Sequence, residues 1–123
     1  MSSGRVAVHT LTIECGDAAT LAAFWAALLD YVEAPHPTAS VLIEHPDGSG
    51  PRLLFQPSDR RKTDKNRLHF DLRPDDRHAA VERALGLGAT RVDIGQAGDE
   101  SWIVLADPEG NEFCILGSLD GTS

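Results

Sequence analysis

Asp107-Pro108-Glu109-Gly110-Asn111-Glu112-Phe113-Cys114-Ile115-Leu116 is the stretch that decides the fold of this chain. Its Asp, Pro and Gly at the first, second and fourth positions favour a type I turn, because the proline ring presets φ. Hydrophobic runs at 102–106 and 113–116 flank the turn, which predicts a β-hairpin. Alternation along the second strand then places Glu112 and Cys114 on one face and Phe113 and Ile115 on the other. One face can pack in a core while the other lines a cleft.

The rest of the chain divides into two similar halves. In the first, a strand at 6–14 precedes a helix from the N-cap Asp17 to about residue 30, and short strands follow at 41–44 and 53–56. In the second, a strand at 67–73 precedes a helix from Asp75 or Asp76 to residue 87. Strands near 91–94, 102–106 and 112–116 follow.

An internal repeat connects the halves. A shift of 59 residues places Leu11 on Phe70, Ile13 on Leu72 and Asp17 on Asp76. This period predicts an α+β fold of two β-α-β-β-β modules, each too small to bury its own sheet. We expect one domain over residues 1–123, with module 1 at about 5–57, a charged linker at 58–66 and module 2 at about 67–117. The alternative is one α+β domain whose halves only begin alike.

Composition excludes several classes of protein. The chain has 41% hydrophobic residues and 24% charged residues, which is typical of a globular protein. Its net charge of −8 disfavours nucleic acid as a partner, because phosphate contacts need a basic surface. No stretch resembles a signal peptide or a membrane span. We therefore expect a cytoplasmic protein with reduced cysteines and no membrane partner.

Four segments together resemble the vicinal oxygen chelate superfamily, specifically its glyoxalase-like and bleomycin resistance-like domains. They are the segments at 11–17, 21–29, 66–72 and 107–113. The resemblance implies the glyoxalase/bleomycin resistance/dihydroxybiphenyl dioxygenase fold, in which paired modules form an open, barrel-like cleft. It also implies a small-molecule ligand in that cleft and a homodimer.

The resemblance also implies where metal-dependent relatives hold their ion. Carried over by position, the four ligands fall on Thr10, Gln56, His69 and Cys114. Threonine is a poor ligand and cysteine is a soft one, so only His69 is a strong ligand for the hard or octahedral ions of these enzymes. His9 is not expected to replace Thr10, because neighbouring strand residues face opposite ways. No cofactor is therefore expected, and His69 and Gln56 are weak candidates for a divalent metal.

His69 is the predicted catalytic residue, acting as a general acid or base that a neighbouring carboxylate orients. The residues predicted to bind substrate are Thr10, Gln56, Arg67, Asp71, Trp102, Glu112 and Cys114. Structural roles remain open for several of them. Arg67 either pairs with the carboxylates or clamps an anionic substrate. Cys114 is either a thiolate activated by His69 or an apolar wall residue, and Trp102 either stacks on a flat ligand or is buried.

Three functions follow from these residues. The first is a metal-independent enzyme of the lyase or isomerase type that binds a small organic molecule between the modules. The second is a non-catalytic protein that sequesters a drug or metabolite and so confers resistance. The third is a metal-dependent glyoxalase or dioxygenase with a reorganised site.

Overall fold

The computed structural model describes residues 7–59, 68–92 and 102–117, and the chain divides into two units, Met1–Arg60 and Arg61–Ser123. The first unit contains β1 (Thr10–Cys15), α1 (Ala18–Leu29), β2 (Val32–Ala34), β3 (Val41–Glu44) and β4 (Arg52–Pro57). The second contains β5 (Phe70–Leu72), α2 (Arg77–Leu87), β6 (Thr90–Arg91), β7 (Trp102–Ala106) and β8 (Glu112–Leu116). None of the helices in these ranges is long and apolar enough to cross a membrane.

The first unit has a four-stranded sheet in the order β1-β4-β3-β2. β1 runs parallel to β4, and the other neighbours are antiparallel. Helix α1 contacts β3 and β4, and Leu21, Ile43 and Phe55 are fully buried. Asp17 caps the helix by accepting a hydrogen bond from the backbone N–H of Thr20 at 3.1 Å. That bond satisfies a backbone donor that has no partner within the helix.

The second unit repeats this topology with its sheet in the order β5-β8-β7-β6. β5 is parallel to β8, and β6, β7 and β8 are antiparallel neighbours. The core contains Leu105, Phe113 and Ile115, and the exposure of each is 1% or less. Helix α2 contacts β8 and buries Val81 and Ala84. The α+β class and the β-α-β-β-β order of both halves are therefore confirmed.

Several element boundaries differ from the prediction. β1 begins at Thr10 rather than at residue 6. β2 was missed, because an edge strand of three residues immediately before Pro35 is too short to show a period. The predicted strand at 67–73 is only Phe70–Leu72, and Leu68 is 83% exposed outside it. Arg67 and most of the predicted linker lie outside the described residues.

The turn between β7 and β8 forms as predicted. The Gly110 N–H donates to the Asp107 carbonyl at 2.8 Å, and Gly110 has a φ of 88°, which favours glycine. Asp107 Oδ1 accepts from the N–H groups of Glu109 at 3.0 Å and Asn111 at 2.9 Å, while Oδ2 accepts from Asn111 Nδ2 at 3.1 Å. These three hydrogen bonds allow the Asp107 carboxylate to be only 4% exposed.

Candidate functional site

The sheet of the second unit has one face that packs in the core and one that carries polar side chains. Phe113 and Ile115 are buried on the first face, so Glu112 and Cys114 point to the second, as the alternation predicts. Asp71 is the register partner of Cys114 on the neighbouring parallel strand. We call this second face the polar face; it carries His69, Asp71, Trp102, Glu112 and Cys114.

His69, Asp71 and Cys114 converge on the polar face. The His69 Nε2 and Asp71 Oδ1 atoms are 3.1 Å apart, and both side chains are about half exposed. One ligand-type atom from each of the three residues lies within 4.8 Å of the other two. A carboxylate that accepts from Nε2–H places the lone pair of a neutral imidazole on Nδ1, where it can take a proton from a ligand. The structure thus places a carboxylate beside His69, and the catalytic role of His69 stays a prediction.

The surroundings of Cys114 disfavour its thiolate. Partial burial raises the pKa of the thiol, and the negative charges of Asp71 and Glu112 raise it further. A side-chain hydrogen bond with Asp71 also favours the neutral form. Activated cysteine nucleophiles instead lie in electropositive surroundings that lower the thiol pKa. Cys114 is therefore a neutral thiol at pH 7, which supports the wall-residue interpretation over the nucleophile.

Trp102 and Glu112 lie on the same face as the cluster. Trp102 is the register partner of Leu116, and Val104 is the partner of Cys114, so the indole lies diagonally across from the thiol. The Trp102 side chain is 39% exposed, which leaves part of its ring surface accessible to a ligand. Glu112 is half-buried and close enough to affect the Cys114 pKa. Both residues make other contacts within the chain.

Thr10 and Gln56 lie on one face of the sheet in the first unit but at different ends of it. Thr10 is the register partner of Arg52, whereas Gln56 is the partner of Glu14. Their backbones are thus about 13 Å apart along the strands, from a rise of about 3.3 Å per residue. This separation is too long for two ligands of one ion. Their predicted roles in substrate binding stay predictions.

The internal repeat indicates that the first-unit residue equivalent to Cys114 is not Gln56. Thr12 corresponds to Asp71 under the shift of 59 residues, and the register partner of Thr12 is Leu54. Leu54 therefore occupies the position that Cys114 has in the second unit. A metal site built from the first unit would thus have a leucine at this position, which cannot bind an ion.

The expectation that His9 faces away from Thr10 was wrong. The His9 Nδ1 and Thr10 Oγ1 atoms are 2.7 Å apart, and His9 Nε2 is 3.4 Å from the Arg52 guanidinium. The reason is that β1 begins at Thr10, so His9 is outside the strand and strand alternation does not apply to it. Sequence reasoning also missed Arg52. Its position next to the buried Leu53 in β4 places it on the opposite face of the sheet, which is the face that carries Thr10.

The residues present do not fit the four-ligand metal site that the resemblance implies. Within the described ranges, His69, Asp71 and Cys114 form the one group of three or more His, Cys, Asp or Glu residues with converging ligand atoms. Imidazole, carboxylate and thiol together suit zinc better than hard octahedral ions, and the thiol would have to lose its proton first. The chemistry proposed below uses no metal.

Comparison with protein families identifies the fold family. The model of a glyoxalase-like domain matches residues 10–116, which includes all ten strands and helices described above. The chain belongs to the glyoxalase-like domain family. No curated protein sequence matches it significantly.

Solved structures of this superfamily share the fold over almost the whole chain. A glyoxalase/bleomycin resistance protein/dioxygenase family enzyme from Burkholderia phytofirmans PsJN is 19% identical, with a TM-score of 0.71 over 93% of this chain and 100% of that one. The fosfomycin resistance protein FosX from Mesorhizobium loti is 16% identical, with a TM-score of 0.67 over 98% and 97%. TnmS3, an antibiotic-binding protein from Streptomyces sp. CB03234, is 16% identical, with a TM-score of 0.63 over 95% and 99%. At these identities the similarity shows the fold alone.

Proposed function

We propose that this glyoxalase-like protein binds a small organic molecule against the polar face and acts on it as a metal-independent lyase or isomerase. The observation that carries the proposal is the 3.1 Å contact between His69 Nε2 and Asp71 Oδ1 on a solvent-accessible face. A histidine oriented by a carboxylate on one ring nitrogen can exchange a proton with a ligand through the other ring nitrogen.

His69 transfers the proton in this proposal, and its neighbours bind the ligand. Asp71 fixes the His69 ring and stabilises the imidazolium that forms when Nδ1 accepts a proton. The exposed part of Trp102 provides an aromatic surface for a flat ligand. Cys114 contributes a neutral, weakly polar wall, and Glu112 is a second carboxylate on the same face. Arg67 retains its predicted role in orienting polar groups of the ligand, and the roles predicted for Thr10 and Gln56 of the first unit stay predictions.

Sequestration without catalysis is the second candidate function. TnmS3 is named an antibiotic-binding protein, and FosX is named a resistance protein, which supports this candidate at the level of the fold. The raised pKa of Cys114 also supports it, because a neutral thiol beside an aromatic ring makes a binding wall rather than a reactive centre. The same polar face would then hold the ligand without transferring a proton.

One experiment separates the two candidates. A panel of small organic compounds is screened by thermal shift, and each stabilising compound is incubated with the protein and analysed by mass spectrometry. Conversion of a compound supports the enzyme, and its recovery unchanged supports sequestration. In the enzyme, His69→Ala should lower turnover by roughly 10²-fold or more. His78→Ala is the matched control, because His78 is exposed on α2 of the same unit. Unchanged turnover in His69→Ala would remove the proposed role of His69.

We also propose that the protein is a cytoplasmic homodimer, as the similarity to this superfamily suggests. Light scattering at micromolar concentration tests the oligomeric state, and a monomer mass would contradict it. The distribution of the protein after cell fractionation tests its location, and recovery outside the cytoplasmic fraction would contradict that part.

A further inference from the structure

Arg52 is the one lysine or arginine among the described residues of the first unit. Its side chain is 35% exposed, and its Nε is buried without a hydrogen-bond partner. Nη2 is 3.4 Å from His9 Nε2, and Nη1 is 3.7 Å from Glu44 Oε1. Charge-assisted hydrogen bonds of guanidinium groups are typically about 2.7–2.9 Å long. Among the described residues, the guanidinium therefore has no acceptor at that distance.

The hydrogen bonds around His9 determine which way the Thr10 hydroxyl donates. Arginine only donates, so His9 Nε2 is the acceptor in the 3.4 Å contact with Arg52, and the neutral tautomer consistent with that contact carries its proton on Nδ1. That Nδ1–H donates to Thr10 Oγ1 at 2.7 Å. The Thr10 hydroxyl hydrogen is then directed away from His9. Thr10 and Arg52 are register partners on adjacent parallel strands, so their donors are side by side on one face.

We propose that Arg52 and Thr10 bind the oxyanion group, a carboxylate or phosphate, of a small ligand on the first unit. The guanidinium supplies the charge and a forked set of N–H donors, and the threonine hydroxyl supplies one more. His9 is a positioning residue that orients the hydroxyl. The Glu44 carboxylate lies 3.7 Å from Arg52 Nη1, and its negative charge limits the affinity for an anion. This site goes beyond the function proposed above, because it lies on the sheet of the first unit and pairs Thr10 with Arg52, which sequence reasoning missed.

Titration with inorganic phosphate and with acetate tests the site without knowledge of the ligand. Chloride keeps the ionic strength constant, and the backbone amide resonances of β1 and β4 report binding by NMR. We expect saturable shifts near Thr10, with at least tenfold weaker binding in Arg52→Gln. Thr10→Val should weaken binding severalfold, whereas Thr10→Ser should retain it. Arg91→Gln is the charge control, because Arg91 is exposed on β6 of the other unit.

A pair of glutamate variants tests the same site with an effect of opposite sign. Glu44→Gln should tighten anion binding severalfold, because it removes the carboxylate nearest to Arg52. Glu33→Gln makes the same change of charge on β2. Glu33 is the register partner of the buried Ile43, so it lies on the sheet face opposite to that of Arg52. It should have little effect. Equally tighter anion binding in both variants would show only an effect of net charge and would overturn the proposed site. The absence of saturable shifts in the wild type would overturn it as well.

Discussion

The thiol of Cys114 should become more reactive when Asp71 is replaced by asparagine. The carboxylate and the thiol atoms lie within 4.8 Å of one another. At 4.8 Å, the largest separation that this bound allows, a full unit charge in the dielectric of bulk water disfavours the thiolate by about 0.9 kcal/mol. Asp71 is about half exposed, so the water value is the appropriate one and already includes solvent screening. The lost interaction corresponds to roughly fivefold more thiolate at a pH below the thiol pKa.

The alkylation rate should rise by less than the thiolate fraction. Nucleophilicity falls as the thiol pKa falls, with a Brønsted coefficient of about 0.4–0.5, which removes about twofold of the gain. We expect Asp71→Asn to react with the neutral reagent iodoacetamide about two- to threefold faster than the wild type at pH 8. Cys15 is 2% exposed and should contribute little, and the Cys114→Ser variant measures that contribution.

The matched control is Asp75→Asn, which removes an equal charge from an exposed position before α2. It should leave the rate within error of the wild type. An Asp71→Asn rate equal to or below that of the wild type would refute the electrostatic account of Cys114. A large loss of Cys114 reactivity in His69→Ala would also refute this account, because it would show that the His69 imidazolium stabilises the thiolate.

Asp107→Ala should lower the free energy of unfolding in urea by about 2–4 kcal/mol, because three hydrogen bonds to a buried carboxylate are lost; a smaller loss than 1 kcal/mol would contradict this. Gly86→Ala should stabilise α2 by about 1 kcal/mol, whereas Gly88→Ala should destabilise it, because Gly88 has a φ of 119°; effects of the same sign would count against the helix end described above. The raised pKa of Cys114 contributes to the free energy of unfolding. This contribution is fully present below pH 9.0, the ordinary pKa of the thiol, and it is lost as the pH rises through the raised pKa. The wild type should therefore lose stability relative to Cys114→Ser above pH 9.0, and parallel pH profiles would contradict this. Elemental analysis of the purified protein should find no stoichiometric nickel, iron or manganese, and an equimolar amount of one of them would restore the metal-dependent enzyme.

Local sequence signals correctly predicted the elements that depend on neighbouring residues. Asp17 caps the first helix as expected, and Asp76, one of the two candidates, caps the second, because an N-cap needs only one side-chain oxygen near the following N–H groups. The turn at Asp107 follows from its own residues for the same reason. Three-residue β2 gave no such signal, since an edge strand before Pro35 depends on pairing with β3 rather than on its own pattern.

Strand parity was enough to predict the polar face but not its contacts. Alternation in β8 placed Glu112 and Cys114 opposite the buried Phe113 and Ile115, as the structure shows. The sequence also named His69 and a carboxylate partner for it. How close the thiol lies to that pair depended on the parallel register that aligns Asp71 with Cys114. Register between strands distant in sequence is determined by packing of the whole sheet.

The sequence by itself determined the repeated β-α-β-β-β order, the helix caps and the side-chain faces of the strands, because these follow from backbone geometry and side-chain period. Only the tertiary structure determined that Thr10 pairs with Arg52 and not with Gln56, and that His9 lies against both Thr10 and Arg52. The contacts of Thr10 and His9 with Arg52 join residues more than 40 positions apart, and no local pattern specifies such a pairing.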